Sequence, residues 1–314
     1  MPSVGNSPGV DIVIPTLNCE QKLSRCLDSI QKQDFTGEKR ILVIDGGSSD
    51  KTVKVATDHQ CKVRIMPGMY STGLGGARDY ALSLQELPLT WMVDADNVIV
   101  EKTALTDLVT PFLAIDGLVA SVPLISIDDH TPPLDRYFAY QESQKLKRCL
   151  AESKPRGGLY ILEDLSYGVT NCSIVKTDVI RRVGGYDSDM RVWARARSRK
   201  LSKSCVVTNA HYLHLTGDYL GGWARKQLGR IRKFSQMGES ALQEYLHEET
   251  RDPTPFRGVA RDLVELPLNG TRLISTDKRA SIFSVAIPTV IIAIAVIHPI
   301  LSFRLIRGFF GKPR

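Results

Sequence analysis

The chain has 314 residues, enough for about two domains or one large α/β domain. With 43% hydrophobic and 24% charged residues it can bury a sizeable core, which excludes a disordered or low-complexity protein. A net charge of +7 suggests an anionic partner, and six cysteines without C-x-x-C spacing or a histidine cluster exclude a zinc ribbon or a disulfide scaffold and predict reduced thiols.

The N-terminus, MPSVGNSPGV, lacks the basic start and apolar stretch of a signal peptide. DIVIP (11–15) reads as a buried strand. Leu23, Leu27 and Ile30 fall at helical spacing within 20–33. ILVID (41–45) is a second buried strand, GGSSD (46–50) a turn, and 51–59 a helix that Asp50 is placed to cap. CKVRIM (61–66) is a third strand. The glycine-rich GMYSTGLGGARDYALSL turns into a helix, and TWMV (90–93) is a fourth strand ended by Asp94-Ala95-Asp96.

Such strand–helix alternation with short connections predicts a mostly parallel sheet covered by helices on both faces. Ligands of these sheets sit at the carboxyl ends of the strands. Pro15, Thr16, Asp45 and Asp94 all fall there. Further on, 118–127 reads as a strand, 134–150 as a polar helix, and 168–175 and 204–215 contain strand-like runs. Two basic stretches stand out, 181–203 and WARKQLGRIRKF at 223–234.

Asp94 and Asp96 flank one small residue. On a strand they would point to opposite faces, so both can reach the crevice only from a turn just beyond it. Hard carboxylate oxygens there suit Mg2+ or Mn2+, and such an ion suits a diphosphate. Asp45 can accept hydrogen bonds from a base or ribose, and the loop at 73–79 can cradle phosphate with Arg78 as a charge clamp. Each element also has a plain structural reading, as a solvated turn, a capped strand–turn–helix or a flexible loop.

Taken together, DIVIPTLN, VIDGGSSDKT, GLGGARDYAL and WMVDADNVI, in this order and spacing, resemble the motifs of the family 2 glycosyltransferases. The resemblance is strong over 11–100 and extends to about residue 235. It implies a GT-A nucleotide-sugar-binding fold, a nucleotide-diphosphate sugar as donor and Mg2+ or Mn2+ as cofactor. Pro15, Thr16, Asn18, Asp45 and Arg78 would then hold the nucleoside. Asp94 and Asp96 would hold ribose and diphosphate through the metal. Two departures are Gly46, where many members carry a second Asp, and Asp79, where Asn is usual. The GGYD segment (184–187) resembles the family's GGFDE, and Asp189 takes the place of its general base in a shortened, arginine-rich version. Arg191 and Arg195 are the candidate acceptor-phosphate ligands, and His214 the candidate third metal ligand.

From Ala280 to Phe303 the chain carries no Asp, Glu, Lys or Arg, long enough for a transmembrane helix, although Pro288 and Pro299 also allow a re-entrant hairpin. The expected organisation is a tail (1–10), a GT-A domain (11–235; donor half 11–100, acceptor half 101–235), a juxtamembrane segment (236–279), a membrane segment (280–303) and a basic tail (304–314). The expected protein is a membrane-associated inverting transferase facing the cytoplasm. Its acceptor would be lipid-linked, with polyprenyl phosphate as the first choice and a glycan hydroxyl as the alternative. A sugar nucleotidyltransferase is disfavoured, because PTLN rather than G-x-G-T-R-L follows the first strand. An inactive nucleotide-sugar-binding module is the remaining rival. No nucleic-acid recognition motif accompanies the charge, and oligomeric state is not legible.

Overall fold

In the computed structural model, residues 7–66, 74–151, 153–162, 172–186, 201 and 203–216 are described. The chain divides into two compact units, residues 1–129 with 143–215, and residues 130–142 with 216–314.

Strand β1 (Val10–Thr16) is buried along its whole length. A continuous apolar run of this kind is what an interior parallel strand needs, because both its faces are covered. Helix α1 (Glu20–Gln31) covers one of them with the expected Leu23, Leu27 and Ile30, and Cys26 completes the i, i+3, i+4, i+7 stripe. Strand β2 (Lys39–Asp45) pairs with β1 in parallel, bringing Thr16 opposite Asp45. Helix α2 (Thr52–Asp58), edge strand β3 (Lys62–Ile65), helix α3 (Leu74–Leu82) and strand β4 (Leu89–Met92) follow. They continue the parallel half, β3 on β2 and β4 on β1.

The other half is built differently. It contains β5 (Asn97–Ile99), α4 (Ala104–Val109), α5 (Pro111–Ala114), β6 (Ala120–Ser126), α6 (Pro133–Leu150), β7 (Leu159–Leu162), β8 (Ile174–Lys176), α7 (Thr177–Arg182) and β9 (Ser204–His214). The described strands form one sheet ordered β3-β2-β1-β4-β8-β6-β9-β5, with β7 also on β9. β8 is antiparallel to both β4 and β6, and β9 is antiparallel to β5 and β7 but parallel to β6. The sheet is therefore mixed, not mostly parallel. The short β5 and β7 and the helices α4, α5 and α7 escaped sequence reading, because three- to six-residue elements carry too few residues to show a period, while β8 falls at the end of the strand-like run 168–175.

The two halves are stitched by buried groups. Trp91 of β4 is fully buried, and its indole Nε1–H donates to the carbonyl of Cys172 at 2.9 Å. Asp11 of β1 is also fully buried; it accepts from the amides of Glu86 (2.8 Å) and Leu87 (2.9 Å) and pairs with Arg40 at 2.7 Å. One carboxylate thus fixes the entries of β1, β2 and β4. In the second unit, the Thr216 hydroxyl donates to Asp135 Oδ1 at 2.6 Å.

Among the described residues no helix is long and apolar enough to cross a membrane. The expected membrane segment, 280–303, lies outside them, as do the juxtamembrane segment and the basic tail.

Candidate active site

The parallel strands end together. β1 closes on Thr16, β2 on Asp45, and β4 runs through Val93 into the Asp94–Asp96 turn. Pro15 is a buried residue of β1 opposite Ile44.

Asp45 is fully buried and its carboxylate is closely held. Oδ2 accepts from the backbone amides of Gly47 (2.9 Å) and Ser48 (2.7 Å). Oδ1 accepts from the Ser48 hydroxyl (2.5 Å) and the Thr16 hydroxyl (3.1 Å). Gly47 has φ 90, which a side chain would resist, and that conformation lets its amide turn back to Asp45. Asn18, also left-handed at φ 47, accepts from the Ser49 amide at 2.8 Å, while its own N–H donates to the Ser48 hydroxyl at 2.8 Å. Asn tolerates this conformation better than most residues. Asn18, Ser48, Thr16 and Asp45 therefore form one network at the carboxyl ends of β1 and β2. Ser48 was not among the expected site residues; its place in GGSSD, directly after Asp45, was the available signal.

Below this network, α1 and α2 cap one another. Asp50 accepts from Thr52 N–H (2.9 Å) and Glu20 N–H (3.2 Å), and Glu20 accepts from Lys51 N–H (2.9 Å). The cap expected from Asp50 is present, one residue further along the helix and shared with α1.

Asp94 and Asp96 occupy the turn between β4 and β5, as their spacing required. Asn97 shapes it: its side-chain Oδ1 accepts from Asp94 N–H and its own N–H donates to the Asp94 carbonyl, both at 2.9 Å. Arg78 reaches across from α3, 2% exposed, and its guanidinium donates to Asp94 Oδ1 at 2.7 Å. Asp96 meets the far end of β9. Leu215 N–H donates to the Asp96 carbonyl at 2.8 Å, and His214 Nε2 lies 3.3 Å from Asp96 Oδ1. Burial pushes the Asp96 carboxyl up, but His214, and then Lys22, outweigh it and hold its pKa below the usual 3.8.

The fit to a divalent ion can be judged from this geometry. Asp96 Oδ1 is buried and receives no hydrogen bond. A carboxylate oxygen without a donor, beside an imidazole nitrogen, offers O and N ligands that suit Mn2+ or Mg2+. Among the described residues no three His, Cys, Asp or Glu side chains group as a metal site. An ion at Asp96 and His214 would therefore take its remaining ligands from elsewhere, as Mg2+ does when it binds through one or two carboxylates and substrate phosphates. Asp189, Arg191 and Arg195 lie outside the described residues, as does the basic stretch 223–234.

The thiols near the site are unreactive in character. Cys26 donates weakly to the Asp94 carbonyl at 3.7 Å, and burial pushes the thiols of Cys26 and Cys172 well up. Cys19, Cys26, Cys61, Cys172 and Cys205 are all free.

Residues 11–183 match the family model described as Glycosyl transferase family 2. The chain belongs to that family. An N-acetylglucosaminyltransferase of Sinorhizobium fredii is 32% identical over 100 residues, 30% of this chain and 24% of the relative. The Escherichia coli UDP-Glc:alpha-D-GlcNAc-diphosphoundecaprenol beta-1,3-glucosyltransferase WfgD is 30% identical over 90 residues, 28% of this chain and 35% of the relative. These matches thus span about a quarter to a third of the relatives' own length. The mannosyltransferase PcManGT from Pyrobaculum calidifontis, solved with GDP-Man and Mn2+, superposes with a TM-score of 0.55 at 16% identity, over 96% of this chain and 87% of that one. At this identity the likeness establishes the shared fold, the GT-A α/β fold with a mixed sheet flanked by helices.

Proposed function

We propose that this family 2 member is an inverting, divalent-metal-dependent glycosyltransferase that moves a sugar from a nucleotide-diphosphate sugar to a lipid-linked acceptor. The observation that carries the reading is the Asp94–Asp96 turn. One carboxylate is neutralised by a buried arginine and the other stands beside an imidazole, at the sheet end that also carries Asp45.

On this reading Asp45 and Thr16, with Pro15 and Asn18 beside them, hold the nucleoside. Arg78 pairs with Asp94 and orients it so that Asp94 can accept from the ribose. Asp96 and His214 hold the ion, which when bound supplies a Lewis acid for the diphosphate leaving group. Asp94, with its Oδ1 on Arg78, would add a second carboxylate at the same turn. For a hydroxyl acceptor Asp189 takes the proton as the acceptor oxygen attacks the anomeric carbon. A phosphate acceptor is already ionised at pH 7, its second pKa being about 6, and then Arg191 and Arg195 that hold it matter more than the base.

Several features support a lipid-linked acceptor: the charge-free run 280–303, the basic stretch 223–234 and the arginines at 191–199. Basic residues near a bilayer gain roughly 1 kcal/mol each from anionic lipid. On this reading the protein works at a membrane with its catalytic part on the cytoplasmic side. A second reading, transfer to a sugar hydroxyl on a lipid-linked glycan, is favoured by the name of the WfgD relative, whose acceptor is a diphosphoundecaprenol-linked sugar.

Membranes bearing the protein, incubated with a panel of radiolabelled nucleotide sugars, should yield label in the lipid extract only when Mg2+ or Mn2+ is present. Label that survives excess EDTA would refute metal dependence. Label that never enters the lipid would refute the acceptor class. Asp189→Asn separates the two readings: a fall within or beyond the range of about 10²–10⁴-fold typical of general-base loss points to a hydroxyl acceptor. A much smaller fall, with a raised acceptor KM in Arg191→Ala, points to phosphate.

A further inference from the structure

Adjacent residues of α3 bind two separate parts of the sheet. Arg78 grips Asp94 at 2.7 Å on the donor side. Asp79 Oδ1 accepts from the Tyr186 backbone N–H at 3.0 Å. Tyr186 lies 107 residues further along the chain, just after the glycine pair that ends α7.

The glycine pair has a capping duty of its own. Gly184 (φ 91) donates to the Arg181 carbonyl at 3.1 Å and Gly185 (φ 83) to the Ile180 carbonyl at 3.0 Å. A glycine in the left-handed region is the common way to end a helix. Gly185 also packs directly against Asp79. A Cβ there would collide with Asp79 Oδ1. The turn is thus shaped to receive the carboxylate as well as to stop α7. The Tyr186 side chain is buried in the cluster with Met92, Val175, Val179, Ile180 and Val183, so the turn is anchored from beneath. Asp79 stands where the resembling family usually has Asn, and both residue types offer the oxygen this contact needs.

We propose that Asp79 is a positioning residue that couples the donor site to the acceptor side of the crevice. It does so by clamping the Gly184–Tyr186 turn to the same helix whose Arg78 holds Asp94. The proposal rests on the reading of Arg78 and Asp94 as part of a nucleotide-sugar site. A nucleotide that tightens the Arg78–Asp94 end then also steadies the Gly184–Tyr186 turn, without Asp79 touching the nucleotide.

The test is hydrogen exchange of the Tyr186 amide in the full-length protein, alone and with Mn2+ plus UDP or GDP. A hydrogen bond to a charged group contributes enough that its loss should speed Tyr186 exchange by about 10-fold or more in Asp79→Ala. Asp79→Asn should stay within about threefold of wild type, since its amide oxygen still accepts. Nucleotide should slow Tyr186 exchange in wild type and Asp79→Asn but not in Asp79→Ala, while nucleotide Kd changes by less than about twofold in all three. Gly185→Ala, which displaces the carboxylate and also strains the cap, should speed Tyr186 exchange more than Gly184→Ala, which strains the cap alone. Equal nucleotide-induced slowing in Asp79→Ala would overturn the coupling. So would a loss of nucleotide affinity in Asp79→Ala as large as that in Arg78→Ala. Failure of wild type to bind either nucleotide would instead remove the donor-site reading itself, and the coupling with it.

Discussion

Arg78 and Asp94 meet at 2.7 Å, a nearly fully buried guanidinium against a carboxylate that is still 25% exposed. The asymmetry has consequences. Removing the arginine leaves Asp94 within reach of water, so the cost should fall below the 3–5 kcal/mol typical of a broken buried pair, at about 2 kcal/mol. Arg78→Ala should therefore fold with a lowered melting temperature and bind UDP or GDP with Mn2+ at least tenfold more weakly by calorimetry. Arg78→Lys should recover stability better than affinity, because an ammonium keeps the charge but not the planar fork. Wild-type affinity in Arg78→Ala would exclude Arg78 from the donor site.

Asp96 and His214 make a prediction in pH. The folded-state pKa of Asp96 is depressed, chiefly by His214 acting against burial. A depressed carboxyl stabilises the fold above its unfolded pKa, and that contribution disappears as pH falls through the lower, folded value. His214→Gln should therefore move the acid limb of the stability–pH curve upward toward the ordinary 3.8. Thermal melts from about pH 2.5 to 6 read this directly. An acid limb unchanged in His214→Gln would mean that the two side chains do not interact in solution.

Asp11 tests the buried staple at the opposite end of β1. Asp11→Ala strands the amides of Glu86 and Leu87 and removes one of the two carboxylates on Arg40, which keeps Glu86 and stays solvated at 22% exposure. Unsatisfied buried donors cost about 1–3 kcal/mol each, less where water can enter. A loss of about 3 kcal/mol in urea unfolding is expected, with nucleotide affinity unchanged in the folded fraction.

Asp50 joins two helix starts at once. Partial burial pushes its carboxyl up, but the Thr52 hydroxyl and the amides of Thr52 and Glu20 outweigh it and lower the pKa. Asp50→Ala should cost about 1 kcal/mol, the usual value of a lost cap, and Asp50→Asn less. By the same sign rule as for Asp96, the Asp50 contribution is present at neutral pH and lost below the ordinary 3.8. The difference between Asp50→Ala and wild type should therefore shrink in acid.

The sequence by itself determined the parallel half of the sheet. Continuous apolar runs specify β1, β2 and β4, and a clear helical stripe specifies α1. Asp45 and the Asp94–Asp96 turn fall at strand ends for reasons visible within a few residues, because period and turn chemistry are local. The tertiary structure decided what no window of sequence contains. It set His214 beside Asp96 across 118 positions of chain, through the antiparallel pairing of β5 with β9. It placed Asp79 against the Gly185 turn and Trp91 under the Cys172 carbonyl. It also made the second half of the sheet mixed, since β8 enters antiparallel between β4 and β6. Strands of three or four residues have too little pattern to announce their partners, so their pairing is set by contacts between segments far apart in the chain.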